Sequence, residues 1–138
     1  MKKLIEQLKL HEGVRSHPYD CPAGYLTIGV GRNISETGLG LSDDEIEYLL
    51  RNDIERCYQE LDRFSWFMDL DTVRQEALVN MCFNLGFTRL IKFTKMMGAM
   101  AEGKFSLAAA EALDSKWARQ VGQRAKDIAN MLEFGEYP

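Results

Sequence analysis

Residues 12–31 read EGVRSHPYDCPAGYLTIGVG, and the rest of the chain is organised around them. Glu12 closes a helical pattern in which Leu4, Ile5 and Leu8 recur at helical spacing, with Gly13 just past the end. Sharp turns are expected at Pro18 and at Cys21–Gly24, followed by a short strand from Tyr25 to Val30 that ends among Gly29 and Gly31. Turn, strand and glycines packed so tightly bring backbone close to a ligand. Leu26, Ile28 and Val30 share one strand face, which leaves Thr27 on the other. The polar groups such a hairpin presents are Glu12, Asp20, Cys21 and Thr27. At a helix C-terminus, the negative end of the dipole works against a second negative charge on Glu12. That suits a carboxyl that has to carry a proton.

Outward from the hairpin, Ser42-Asp43-Asp44-Glu45 is a capping box with acids in the first turn, so a helix starts there. Ile46, Leu49, Leu50, Ile54, Cys57, Tyr58 and Leu61 give that helix one apolar stripe to about residue 62. Asp71 caps a second helix that Gly86 terminates. Its apolar residues spread beyond one stripe, which predicts a central position. Shorter helices are expected near 94–101, 105–113, 116–120 and 123–132, punctuated by Gly103, Ser115 and Gly122. The predicted fold is α+β and mostly α. A hairpin lobe (13–41) is joined by a bridging helix (42–62) to a helical lobe made of 63–138 with 1–12.

Hydrophobic content of 46% over 138 residues is ample for a core and argues against disorder. No apolar run approaches a membrane span, and the charged start of the chain does not read as a signal peptide, so a cytoplasmic, monomeric protein without stable membrane insertion is expected. Three cysteines without ligand clustering predict neither a disulfide framework nor a metal site, and Cys57 and Cys82 read as small buried hydrophobes. Net charge is −4, but residues 36–76 carry −8 and residues 89–126 carry +5. The basic second half is either a solvated helix surface or a face for an anionic polymer. The negative total and the lack of an aromatic-basic motif disfavour nucleic acid.

Glu12, eight residues, Cys21, five residues, Thr27 and then Ile28-Gly29-Val30-Gly31 resembles the active-site segment of the phage T4 type of lysozyme, a family that includes many endolysins. Cys21 falls where that family has Asp or Cys, and Asp20 stands one position too early. Leu70–Arg74, Ala77–Met81, Gly86 and Phe93-Thr94 are similar to the family's central helix and its exit. Ser115–Trp117 and Gln123–Lys126 are similar to its final helices.

The resemblance implies a lysozyme-like fold and a muramidase that cleaves the β-1,4 bond between N-acetylmuramic acid and N-acetylglucosamine in peptidoglycan, with inversion and without a cofactor. Glu12 would be the general acid, with Cys21 and Thr27 positioning or activating water. A thiol with an ordinary pKa near ~8.5 is a poor base at neutral pH, so Cys21 would act as a weak hydrogen-bonding partner or as a depressed thiolate. Asp20 remains the fallback second carboxylate, and a turn residue fixed before Pro22 is the structural alternative for Cys21. By the same resemblance, Phe83 and Asn84 line the sugar cleft, Arg124 pairs with Glu12, and Arg32 takes Asp53 as a structural partner. Met96 and Glu111 depart from the small polar residues expected at their cleft positions. The resemblance further implies accumulation in a host bacterial cytoplasm until the membrane is permeabilised. A tail- or toxin-associated muramidase, or a glycan-binding module without turnover, are the rival readings.

Overall fold

A computed structural model describes all residues 1–138. The chain divides into two compact units, Met1–Leu49 and Leu50–Pro138. The boundary falls inside α2 (Asp43–Leu61), and α1 (Lys2–Glu12) belongs to the first unit, whereas the expected lobes grouped residues 1–12 with the helical part.

In the first unit α1 ends at Gly13, whose φ of 79° turns the chain and whose N–H donates to the Lys9 carbonyl at 3.0 Å. Strands β1 (Arg15–Asp20), β2 (Leu26–Gly29) and β3 (Arg32–Asn33) form an antiparallel sheet in the order β1-β2-β3. The expected turn at Pro18 is corrected: Pro18 lies inside β1, where the register slips between Arg15 and Tyr19. An edge strand tolerates proline at such an irregularity because no ladder N–H is needed there. The second expected turn forms as a three-residue hairpin loop. The Cys21 N–H donates to the Tyr25 carbonyl at 2.9 Å, and the Gly24 N–H donates to the Cys21 carbonyl at 2.8 Å. Pro22 presets the first turn position, and Gly24 takes the left-handed one at φ 84°.

The start of α2 is built on Glu45. Its Oε1 accepts from the Ser42 N–H at 3.1 Å, from the Ser42 hydroxyl at 2.7 Å and from Arg32 Nη1 at 2.9 Å. Arg32 also donates to the Gly40 carbonyl at 3.0 Å. The expected Arg32–Asp53 pair is therefore corrected to Arg32–Glu45, and Asp53 holds Arg56 at 2.7 Å instead. Glu45 stands in the first helical turn, beside the loop that Arg32 reaches. Asp53 lies eight residues further, about 12 Å along the axis.

The Arg32 guanidinium, followed by the Ser42 hydroxyl and N–H, holds Glu45 down at about 2 from an ordinary 4.5. Because the folded value is depressed, this stabilisation is present above pH 4.5 and is lost as pH falls towards 2. Glu45→Gln is expected to flatten the acid limb of a stability-against-pH curve in that window. An acid limb identical to wild type would reject the assignment.

The second unit is organised on α3 (Thr72–Leu85), as its spread of apolar residues predicts. Asp71 caps it by accepting from the Arg74 N–H at 3.1 Å, and Gly86 ends it at φ 81°. Ala77, Leu78, Met81 and Cys82 are buried in one core with Ala125, Ile128, Ala129 and Leu132 of α8 (Gln123–Phe134). Around them run a 3-10 turn (Phe67–Asp69), α4 (Phe87–Leu90), α5 (Thr94–Ala101), α6 (Phe105–Leu113) and α7 (Lys116–Val121). Alanines at 108, 109 and 112 let α6 approach closely, while Met96, Met97 and Met100 fill the remaining space.

Arg74 fastens the end of α8. Its Nε donates to the Leu132 carbonyl at 2.7 Å, its Nη2 to the Glu133 carbonyl at 2.6 Å and its Nη1 to Asp71 at 3.0 Å, while the guanidinium lies 3.8 Å over the Phe105 ring. The buried core and these polar staples hold the second unit together. No helix is long and apolar enough to cross a membrane.

Candidate active site

Glu12, the last residue of α1, lays its side chain against the strand-end glycine. A Cβ built on Gly31 would meet Glu12 Oε2 at 2.8 Å and Cδ at 3.0 Å, and Gly31 sits at φ 67°. Only glycine satisfies both the left-handed backbone and the missing side-chain volume. Gly31→Ala is expected to cost about 1–2 kcal/mol from the backbone strain alone, with a further loss of activity as the carboxyl is displaced. Thermal melts alongside turnover check this. An alanine variant with unchanged melting temperature and rate would remove Gly31 from the site.

Cys21 and Thr27 lie on one face of the hairpin. Cys21 is opposite Tyr25 through its N–H bond, and Thr27 is opposite Tyr19 in the ladder; alternation puts these residues on the same side. Asp20 pairs with Leu26 and therefore belongs to the other face. Thr27 is the one buried polar residue, 4% exposed, and its hydroxyl donates to the Tyr25 carbonyl at 2.9 Å.

The half-buried Cys21 thiol is held below its ordinary value, chiefly because the Tyr25 N–H is aimed at the sulfur. Partial burial opposes this, and the Ala23 N–H, the Thr27 hydroxyl and the Gly24 N–H add to it. Backbone N–H groups of a hairpin loop favour an anion beside them, here a thiolate. The single Thr27 proton serves either the Tyr25 carbonyl or the sulfur, so ionisation of the thiol gives that hydroxyl a reason to rotate.

The remaining candidates belong to the second unit. Phe83, 46% exposed, lines a cavity of about 320 Å³ together with Tyr58, Glu76, Asn80, Arg124 and Tyr137. Arg124 donates from Nε to Asn80 Oδ1 at 3.0 Å and from Nη2 to the Asn80 carbonyl at 3.3 Å, which fixes α8 to α3. Asn84, placed beside Phe83 as a sugar-binding amide, spends its Oδ1 on Trp117 Nε1 at 2.7 Å. Its amide oxygen thus orients α7, leaving the NH₂ for other work. Met96 and Glu111 share a different cavity of about 350 Å³ with Phe93 and Lys92.

Two features escaped the sequence reading. Tyr137 donates its hydroxyl to Glu76, and its own proton is held so firmly that its pKa is pushed up to about 12. Cys57 and Cys82, read separately as buried hydrophobes, line one cavity; burial raises both, Cys82 to about 12. Neither partnership has a periodic signal, since each joins residues from distant parts of the chain.

The phage lysozyme family profile matches residues 9–131. A probable T4-type lysozyme 1 of Dictyostelium discoideum is 24% identical across 98% of this chain and 96% of its own length. An endolysin of Acyrthosiphon pisum secondary endosymbiont phage 1 is 28% identical across 89% of this chain and 84% of its own. The pre-baseplate central spike protein Gp5 of Enterobacteria phage T4 is 26% identical across 96% of this chain, which spans 28% of that protein. A match over nearly the whole length, together with the small antiparallel sheet and the helical second unit, identifies the class: the chain belongs to the phage lysozyme family, glycoside hydrolases of the muramidase type.

Proposed function

We propose that the protein is an endolysin that hydrolyses the β-1,4 bond between N-acetylmuramic acid and N-acetylglucosamine in peptidoglycan, with Glu12 as general acid and Cys21 as base. In this reading Glu12 gives its proton to the glycosidic oxygen as the bond to the anomeric carbon breaks. A water held by the Thr27 hydroxyl attacks the opposite face and passes a proton to the Cys21 thiolate. The anomeric centre inverts, and solvent returns Glu12 and Cys21 to their starting protonation states.

The observation that carries this reading is that Cys21 and the buried Thr27 share one face of the hairpin, where loop N–H groups and the Thr27 hydroxyl lower the Cys21 pKa. The shift is in the direction that a base requires. Asp20, paired with Leu26 on the other face, is the weaker choice. The proposed setting is a host bacterial cytoplasm, with access to the wall once the membrane is permeabilised. The likeness to a spike protein favours a second setting, in which the same chemistry is carried on a phage tail.

Incubation with purified peptidoglycan and analysis of the released ends tests the reaction. New reducing muramic acid ends are expected. Reducing glucosamine ends or freed peptide stems would assign a different bond, and intact murein would reject hydrolysis.

A further inference from the structure

The cavity lined by Phe83 is walled on one side by residue 137, which belongs to the segment after α8 rather than to any helix. That segment is held in place. Gly135 ends α8 in the left-handed conformation, φ 68°, and a Cβ on it would meet Arg74 Nη1 at 2.8 Å. Asn130 Nδ2 donates to the Glu136 carbonyl at 3.3 Å, and the Tyr137 hydroxyl closes the strap on Glu76 of α3.

Anchored at its hydroxyl, Tyr137 still leaves 59% of its surface open, and Phe83 is 46% open. Two exposed aromatic rings on one cavity, with Asn80 and Arg124 providing polar groups, suit a sugar: its C–H face packs on an aromatic ring while its amide and hydroxyls bond at the edge. The volume of about 320 Å³ is at the small end of small-molecule sites, about 300–1,000 Å³.

We infer that Tyr137 is a specificity-determining residue, an aromatic wall that Glu76 and the Gly135 turn hold in position so that an N-acetylhexosamine ring of the glycan packs against it. The inference rests on the proposed muramidase reading and adds to it a contact made by the tail segment. The hydroxyl orients the ring, and the ring face binds.

The test uses the full chain, with soluble peptidoglycan fragments for kinetics and triacetylchitotriose as the binding probe. Tyr137→Ala is expected to raise KM and weaken chitotriose binding about three- to tenfold, with kcat within about twofold of wild type because the reacting groups are untouched. Tyr137→Phe, which keeps the ring, is expected to retain most of the affinity. A thermal melt identifies any variant that fails to fold.

In the wild type, NMR signals of the Tyr137 ring are expected to shift on chitotriose addition, a readout that needs neither turnover nor substitution. Unmoved ring signals, or unchanged KM and affinity in a folded Tyr137→Ala, would overturn the inference while leaving the hydrolase reading intact. Loss of affinity in Tyr137→Phe equal to that in the alanine variant would also overturn it, by assigning the effect to the Glu76 bond. If wild type releases no reducing ends, the proposed reaction fails, and the ring signals still decide whether the sugar packs on Tyr137.

Discussion

Glu12→Gln is expected to lower kcat on peptidoglycan by roughly 10²–10⁴, the usual contribution of a positioned general acid. Glutamine keeps the shape of the side chain that fills the space a Gly31 Cβ would occupy, so the fold should be undisturbed. What is removed is the proton. Loss of kcat with little change in KM is the pattern of an interaction made in the transition state alone. Melting temperature and sugar binding measured on the same preparation separate lost chemistry from lost structure. A glutamine variant that keeps wild-type turnover would exclude Glu12 as the acid.

Substitution at Cys21 should have an effect of similar size. Cys21→Ala removes the base and is expected to reduce kcat by roughly 10²–10⁴. Asp20→Asn, on the opposite face of the hairpin and paired with Leu26, should stay near wild type. A dead Asp20→Asn variant beside a healthy Cys21→Ala variant would reverse the assignment. The pH dependence adds a sign. A base acts when ionised, so the rate rises as pH climbs through its pKa. The N–H groups of Tyr25, Ala23 and Gly24 and the Thr27 hydroxyl move that rise below the ordinary thiol range. Thr27→Val removes one of these donors and should return the rise towards higher pH, while Cys21→Asp should carry it down towards the carboxylate range, near ~4.

The parts of the fold visible in the sequence are those governed by local rules. Asp71 and Ser115 cap helices as their residue types predict, Gly13 and Gly86 end them, and helices begin at Thr94, Phe105, Lys116 and Gln123 as the punctuation implies. Short elements were harder. β3 has two residues and α4 has four, too few for either period to register. Pro18 read as a turn because local preference cannot see a sheet edge or a register slip.

The candidate site divides in the same way. The order Glu12, Cys21, Thr27, Gly31 is contiguous enough to be read directly, and strand alternation separates Thr27 from Leu26 and Ile28. The partner of Arg32 was misassigned because reach along a helix, not charge alone, selects Glu45 over Asp53. The bond from Trp117 to Asn84 was not legible because it joins residues 33 positions apart. Tyr137 had no local pattern at all. Its meaning comes from Glu76, which tertiary structure brings to it.

The most direct test of the account is the rate of Cys21 alkylation by iodoacetamide as a function of pH, set beside the pH profile of kcat/KM. Cys57 and Cys82 are buried with raised pKa values, so the reagent reports on Cys21. The account predicts one ionisation, below the ordinary thiol value, that governs both the alkylation rate and the ascending limb of hydrolysis. A Cys21 that alkylates with an ordinary or raised pKa, while hydrolysis rises at a separate, lower pH, would contradict it.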